Sequence, residues 1–228
     1  MTDRVFAARR QFLKGSLAWA TLAALGIENA LAELYGWSAT EVTPGIKSGP
    51  FYPLTNKPAD RDSDLTVING RKQRARGDLL YVMGQVLDIK GKPIKGVKVE
   101  VWQANAAGRY THPSDANPAP LDPNFEGYGI VVTDAEGRYR FKTVAPGSYP
   151  VMEGWVRPPH IHFEVTGRRD RQTTQMWFPD HPLNGQDRLF SGLPQAAKEK
   201  LTCRIEQARS AMEVGSKIAL FDIIIPNG

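Results

Sequence analysis

"RPPHIHFEV", Arg157 to Val165, decides how this chain is read. From His160 onward polar and apolar residues alternate, and in an extended strand successive side chains point to opposite faces. His160, His162 and Glu164 then share one face, and Ile161, Phe163 and Val165 share the other. The chain has only four histidines, and two of them are spaced to stand side by side. Two readings are open here. One is an amphipathic strand with a wet polar face. The other is a pair of metal ligands, because neutral imidazole is the commonest protein metal ligand.

Strand signals continue on both sides of this stretch. "LLYVMGQVLD" (Leu79 to Asp88) is followed by a Gly/Pro turn and then by "VKVEVWQA", in which Val97, Val99 and Val101 alternate with Lys98, Glu100 and Trp102. "IVVTD", the turn "AEG" and "RYRFKTV" form a second hairpin pattern, with Tyr139, Phe141 and Thr143 on one face. "TTQMWF" and "ALFDIIIP" complete the strands. Many short strands separated by turns predict a mainly β protein, an antiparallel β-sandwich with long loops. Pro194 to Met212 reads as a helix, since Ala197, Leu201, Ile205 and Ala208 are spaced for one buried face. Residues 33–77, rich in Pro, Gly and Asp and without a sustained period, are expected to form an arm and loops. Residues 78–228 are expected to form the sandwich, with no second domain.

Composition narrows the function classes. With 228 residues, 41% hydrophobic, the chain can build one sizeable core. The net charge of +5 comes partly from the first 32 residues, and without them 25 basic residues face 22 acidic ones. The densest basic run, "RKQRAR" (Arg71 to Arg76), has no interleaved aromatics to stack on bases, so no nucleic-acid partner is expected. Cys203 is the only cysteine, which excludes an internal disulfide and a multi-thiolate zinc site. No dinucleotide or P-loop glycine motif is present.

Residues 1–32 read as an export signal. "ARRQFLKGSLAWATLAALG" joins a basic start to a short apolar stretch, and "ALA" at Ala30 to Ala32 supplies the small-x-small end. An apolar run of roughly 13 residues is too short for a stable membrane span. Arg9-Arg10-Gln11-Phe12-Leu13-Lys14 resembles a twin-arginine core, although Ala8 stands where Ser or Thr is usual. The expected partner is the twin-arginine (Tat) export machinery, and the expected location is periplasmic or extracellular.

Two tyrosines lie in loops, where functional side chains are commonly displayed. Tyr110 follows "ANAAGR", and Tyr149 sits between Pro146 and Pro150 in "PGSYP". A free phenol has a pKa of about 10, so its ionisation at pH 7 costs roughly 4 kcal/mol. A trivalent cation offsets that cost, and phenolate is a hard anionic donor suited to ferric iron.

The fragments "VEVWQANAAGRYTH", "APLDPNF", "TDAEGRYRFKTVAPGSYP" and "RPPHIHFEV" together resemble the intradiol ring-cleavage dioxygenases, and most nearly the iron-bearing subunit of the protocatechuate-cleaving branch. The likeness runs in order from "SGPFYP" at Ser48 to "FDIIIP" near the C-terminus. It implies one Fe(3+) per chain, held by Tyr110, Tyr149, His160 and His162. It also implies a catechol-type aromatic substrate, O2 as co-substrate, and ring opening to a cis,cis-muconate-type dicarboxylate. Arg157 matches the substrate-facing arginine three residues before the first histidine ligand. Tyr149 is the expected displaceable ligand and proton acceptor, Gln175 matches a supporting glutamine, and Tyr52 is placed at the pocket mouth. Val151 and Val156 stand where that subunit carries tryptophans, which leaves the particular catechol open. Homo- and hetero-oligomers also remain open. The alternatives are a non-catalytic exported sandwich that only binds, and a metal-free partner subunit. Neither requires the full set of two tyrosines and two histidines.

Overall fold

The computed structural model describes residues 41–55 and 57–227. The export signal assigned to residues 1–32 lies outside the described residues.

Two sheets form the body. In the first, β1 (Leu79–Leu87) pairs antiparallel along its length with β4 (Arg138–Val144). Its other edge takes β10 (Lys217–Leu220) and then β11 (Ile223–Ile224), both parallel, and β10 also pairs antiparallel with β9 (Arg204–Gln207). The sandwich is therefore antiparallel except along that one edge of β1.

The second sheet is wholly antiparallel, in the order β3 (Tyr128–Val132), β2 (Lys98–Trp102), β7 (His160–Thr166), β8 (Arg171–Trp177). A separate hairpin, β5 (Tyr149–Met152) and β6 (Trp155–Arg157), sits between β4 and β7 in the chain.

The alternation read from the sequence places the core. Val99, Val101, Ile161, Phe163 and Val165 of the second sheet pack with Leu80, Val82, Val86, Phe141, Ala219 and Ile223 of the first. Phe163, Val165 and Val99 are fully buried there, and removing a side chain of this size from water is worth about 1.5–3 kcal/mol. The opposite face of the second sheet is buried too. Trp102 and Tyr128 pack with Tyr110 and Tyr149 in a second cluster, covered by Phe51 and Tyr52 of the arm. His160, His162 and Glu164 keep only 2%, 2% and 5% exposure, so the wet-face reading of that strand is wrong. Loops and the arm enclose what the alternation alone would leave to solvent.

The helix predicted from Pro194 to Met212 is shorter. Helix α1 covers Gln195–Leu201, and Thr202 is already extended. Ile205 lies instead in β9, opposite Ala219 of β10. Helical spacing over 197–208 competes here with pairing to an open sheet edge, and tertiary pairing overrides a weak propensity. The described part of the arm, from Glu41 to Gly77, holds no strand beyond the single bridge Asp64–Lys142. Its backbone is tied to both sheets, through Thr43 N–H to Ile224 O at 3.0 Å and Ile46 N–H to Thr173 O at 2.9 Å. Among the described residues no helix is long and apolar enough to cross a membrane.

Candidate metal centre

Register explains the floor of the site. Across three strands Trp102, His162 and Gln175 are direct neighbours, and His160 is opposite Trp177. Paired residues share a face, so this row points toward the second cluster. The Trp102 indole stacks on the His162 imidazole, with centroids 4.9 Å apart and planes 10° apart.

Two loops bring in the tyrosines. Asn105 shapes the first: its Oδ1 accepts the N–H of Ala107 at 2.9 Å and of Arg109 at 3.0 Å, and its Nδ2 donates to Pro120 O at 2.9 Å. The buried Asp115 then accepts the Tyr110 N–H at 2.7 Å. Gly108 and Gly147 let the two loops interlock. Gly108 has φ +81°, and a Cβ there would lie 2.1 Å from Ser148 O; one on Gly147 would lie 2.5 Å from Gly108 N. The β5–β6 register sets Tyr149 opposite Arg157, and His160 follows three residues later.

These elements bring Tyr110, Tyr149, His160 and His162 together. His160 Nε2 and His162 Nε2 are 3.2 Å apart, and Tyr110 Oη is 3.1 Å from the second and 3.5 Å from the first. The Tyr149 ring is 5.3 Å from that of Tyr110 and 5.6 Å from that of His160. His160 Nδ1–H donates to Pro158 O at 2.7 Å, which leaves its Nε2 lone pair facing the cluster. Burial and the Arg157 charge push the His160 imidazole down to about 3, and burial with His160 takes His162 well below its ordinary value. Both rings are neutral at physiological pH, as metal ligation requires.

Burial and then Tyr149 raise the Tyr110 phenol well above its usual value. Burial raises Tyr149 as well, against the lowering pull of Arg157. Two buried phenols that resist ionisation, converging on two neutral imidazoles, suit a highly charged hard cation. The donor set fits ferric iron.

Arg157 is buried beside this cluster. Its Nη1 lies 3.0 Å from His160 Nε2, and its Nη2 donates to Gln175 Oε1 at 2.9 Å and to Asp187 Oδ2 at 3.2 Å. Gln175 is fixed in turn by donating to Lys47 O at 2.9 Å. Asp187 is fully buried and also accepts from the indoles of Trp177, at 3.2 Å, and Trp155, at 3.3 Å. Burial pushes its carboxyl up, but the Arg157 charge and hydrogen bond outweigh that and hold it below the ordinary value.

Tyr52 is placed differently from the expected pocket mouth. Its ring stands edge-on to Trp102 at 4.8 Å, and its hydroxyl is 2.9 Å from Lys57 Nζ and 3.4 Å from Glu100 Oε1. It backs Trp102, while its neighbour Phe51 lies 4.6 Å from the Tyr110 ring and 6.0 Å from that of Tyr149. Phe51, Trp102 and Asp187 were not legible as site residues, because each reaches the centre only through register or long-range packing. His112 stands at the rim of a cleft that Phe51, Tyr110, Trp102 and Glu126 also line. Asp122 caps its turn, accepting from Asn124 N–H at 3.0 Å.

A family model described as a dioxygenase matches residues 47–226. The protocatechuate 3,4-dioxygenase beta chain of Burkholderia cepacia is 46% identical over 170 residues, covering 72% of this chain and 71% of that one. The hydroxyquinol 1,2-dioxygenase of Rhizobium sp. (strain MTP-10005) is 31% identical over 157 residues, 61% of this chain and 50% of that one. Among solved structures, the dioxygenase domain of a carbohydrate-binding fusion protein from Streptomyces sp. SirexAA-E superposes with TM-score 0.59 at 26% identity, covering 82% of this chain and all of that domain. The chain belongs to the intradiol ring-cleavage dioxygenase family. It is similar to enzymes that open catechols, protocatechuate and hydroxyquinol, and the reading as a non-catalytic binding module is not favoured.

Proposed function

We propose that this chain is an exported, ferric intradiol dioxygenase that opens a catechol-type ring with O2 to a cis,cis-muconate-type dicarboxylate. The convergence of Tyr110, Tyr149, His160 and His162 beside Arg157 carries the reading. Fe(3+), one per chain, would be held by those four side chains and would supply the Lewis acidity that activates a catechol-type ring toward O2.

The protein's own residues do the rest. Arg157, aimed at the cluster by Gln175 and Asp187, places a fixed positive charge where negative charge develops on the substrate ring, in a water-poor site. Tyr149 opens β5, whose next three residues Pro150, Val151 and Met152 are exposed, and its Oη is the site that would take a catechol proton. Phe51 and Trp102 exclude water from the Tyr110–His162 side. Val151 and Val156, both 41% exposed, stand on the hairpin that carries Tyr149 and Arg157 where the protocatechuate-cleaving subunit has tryptophans, and this supports a catechol with an apolar or no ring substituent as the substrate. Twin-arginine export is supported by Arg9 and Arg10 in the Arg-Arg-Gln-Phe-Leu-Lys run, which resembles the signal of a route used for proteins exported already folded.

Oxygen uptake by the iron-replete protein against catechol, alkylcatechols, protocatechuate and hydroxyquinol tests the reaction. Uptake of one O2 per ring with a muconate-type product is expected. No uptake with any of them would defeat the proposal. Replacing Arg9 and Arg10 by lysine should retain the protein in the cytoplasm, as fractionation would show.

A further inference from the structure

Away from the histidine–tyrosine centre, a second polar cluster has unusual electrostatics. Asp60 and Asp62 of the arm and Glu126, just before β3, each place a carboxylate oxygen within 4.8 Å of the other two. Among the described residues none of the three forms an ion pair with a lysine or arginine. Glu126 is 4% exposed, and among the described residues neither of its carboxylate oxygens is met by an N–H or hydroxyl donor. A buried, unpartnered carboxylate is among the costlier arrangements in a protein. The two aspartates are better supplied. Asp60 accepts from the side chain of Asn69 at 2.9 Å and from its backbone N–H at 2.5 Å, and Asp62 Oδ1 accepts from Asp64 N–H at 2.6 Å. Among the described residues both of Glu126's oxygens remain without a donor.

We infer that Asp60, Asp62 and Glu126 form a binding site for one hard divalent cation, of the calcium class, that fastens the N-terminal arm to the sandwich. All three ligands are carboxylate oxygens, the donors that hard cations select. Calcium bonds of about 2.3–2.6 Å accommodate pairs of ligand oxygens up to roughly 5 Å apart, so carboxylates within 4.8 Å of one another can close on one ion by small side-chain rotations. Asp62 is exposed and leaves room for water ligands, and Glu126 lines the cleft beside Pro58 through which an ion can enter. Burial, then a side-chain contact with Asp60, and after these the charges of Asp60, Asp62 and Asp64 push the Glu126 carboxyl up to about 9.

The location gives the site a consequence. Asp60 and Asp62 bracket Arg61, whose carbonyl accepts from Ile130 N–H at 2.9 Å, and they follow the segment carrying Tyr52 and Lys57. Lys57 Nζ reaches Glu100 at 2.7 Å, and Tyr52 stands on Trp102, which stacks on His162. A cation here would hold the arm in the position that backs the metal centre.

Calorimetric titration of calcium chloride into the iron-replete protein, passed over a chelating resin, tests the proposal. One site per chain is expected, together with a calcium-dependent rise in Tm that follows the measured affinity. Glu126→Gln should weaken calcium binding by about tenfold or more, because affinity follows the charge of the ligand set. Asp62→Asn, at an exposed position whose hydrogen bond to Asp64 N–H asparagine preserves, should weaken it similarly and guards against a folding defect in the first variant. If Glu126 and Asp60 instead share a proton, calcium gives neither binding heat nor a Tm shift. That result, or a wild-type isotherm in Asp62→Asn, overturns the proposal.

Discussion

Asp187→Asn separates the support of Arg157 from its charge. Wild-type Asp187 gives one oxygen to Arg157 and the Trp177 indole and the other to the Trp155 indole and the Leu189 N–H. Every group around it is a donor. Asparagine keeps one acceptor and turns an NH2 toward two donors, so a buried guanidinium loses its only anionic partner among the described residues. Breaking one side of a buried ion pair costs about 3–5 kcal/mol, and the retained acceptor puts the expected loss near 3 kcal/mol. Displacing Arg157 by an ångström would lower kcat by roughly a hundredfold, with little change in metal content.

The assay is urea denaturation of both proteins at several pH values, with turnover measured alongside. Arg157 holds the Asp187 carboxyl below its ordinary value, so its stabilisation is complete above the usual carboxylate range. It fades as pH falls through the depressed folded value, and the gap between wild type and variant should close there. A variant within about 0.5 kcal/mol of wild type at neutral pH, a surface-like effect, would refute the reasoning.

Gly147→Ala places a methyl group 2.5 Å from Gly108 N and 2.6 Å from Ala106 O, so about 1–3 kcal/mol of stability should be lost. Ring-cleavage activity should fall with it, because Tyr110 and Tyr149 sit on these loops; thermal denaturation and oxygen uptake read the two effects. Glu100 is buried, and although burial alone raises its carboxyl, hydrogen bonds from Lys57, Tyr128 and Lys98 hold it down at about 2 against 4.5 ordinarily. Glu100→Gln should therefore cost about 3 kcal/mol above pH ~4.5, and the deficit should vanish as pH falls toward 2, in pH-dependent urea melts. The Cys203 thiol is buried and pushed up to about 12 by that burial, so a thiol reagent should modify it only at the rate of unfolding.

What the sequence made legible followed from period and punctuation. Two-residue alternation around His160 gave the strand and its faces, and the Gly/Pro-bounded loops marked Tyr110 and Tyr149 as displayed residues. Burial of the polar face was not legible, because it depends on an arm more than a hundred residues away in the chain. Asp187 lay in an unremarkable "GQDRLF", and only the fold sets it against Arg157. The stacking of Trp102 on His162 requires the β2–β7 register, which no local pattern fixes. The overlong helix failed for the complementary reason: Ile205 satisfies a helical period and a strand pairing equally, and β10 decided between them.

The visible spectrum of the iron-loaded protein, taken with its iron content, addresses the central claim most directly. One iron per chain with a phenolate-to-iron charge-transfer band, shifted and weakened in Tyr149→Phe, is the expected result. A colourless protein carrying a full complement of iron, or a band indifferent to Tyr110→Phe and Tyr149→Phe, would contradict it.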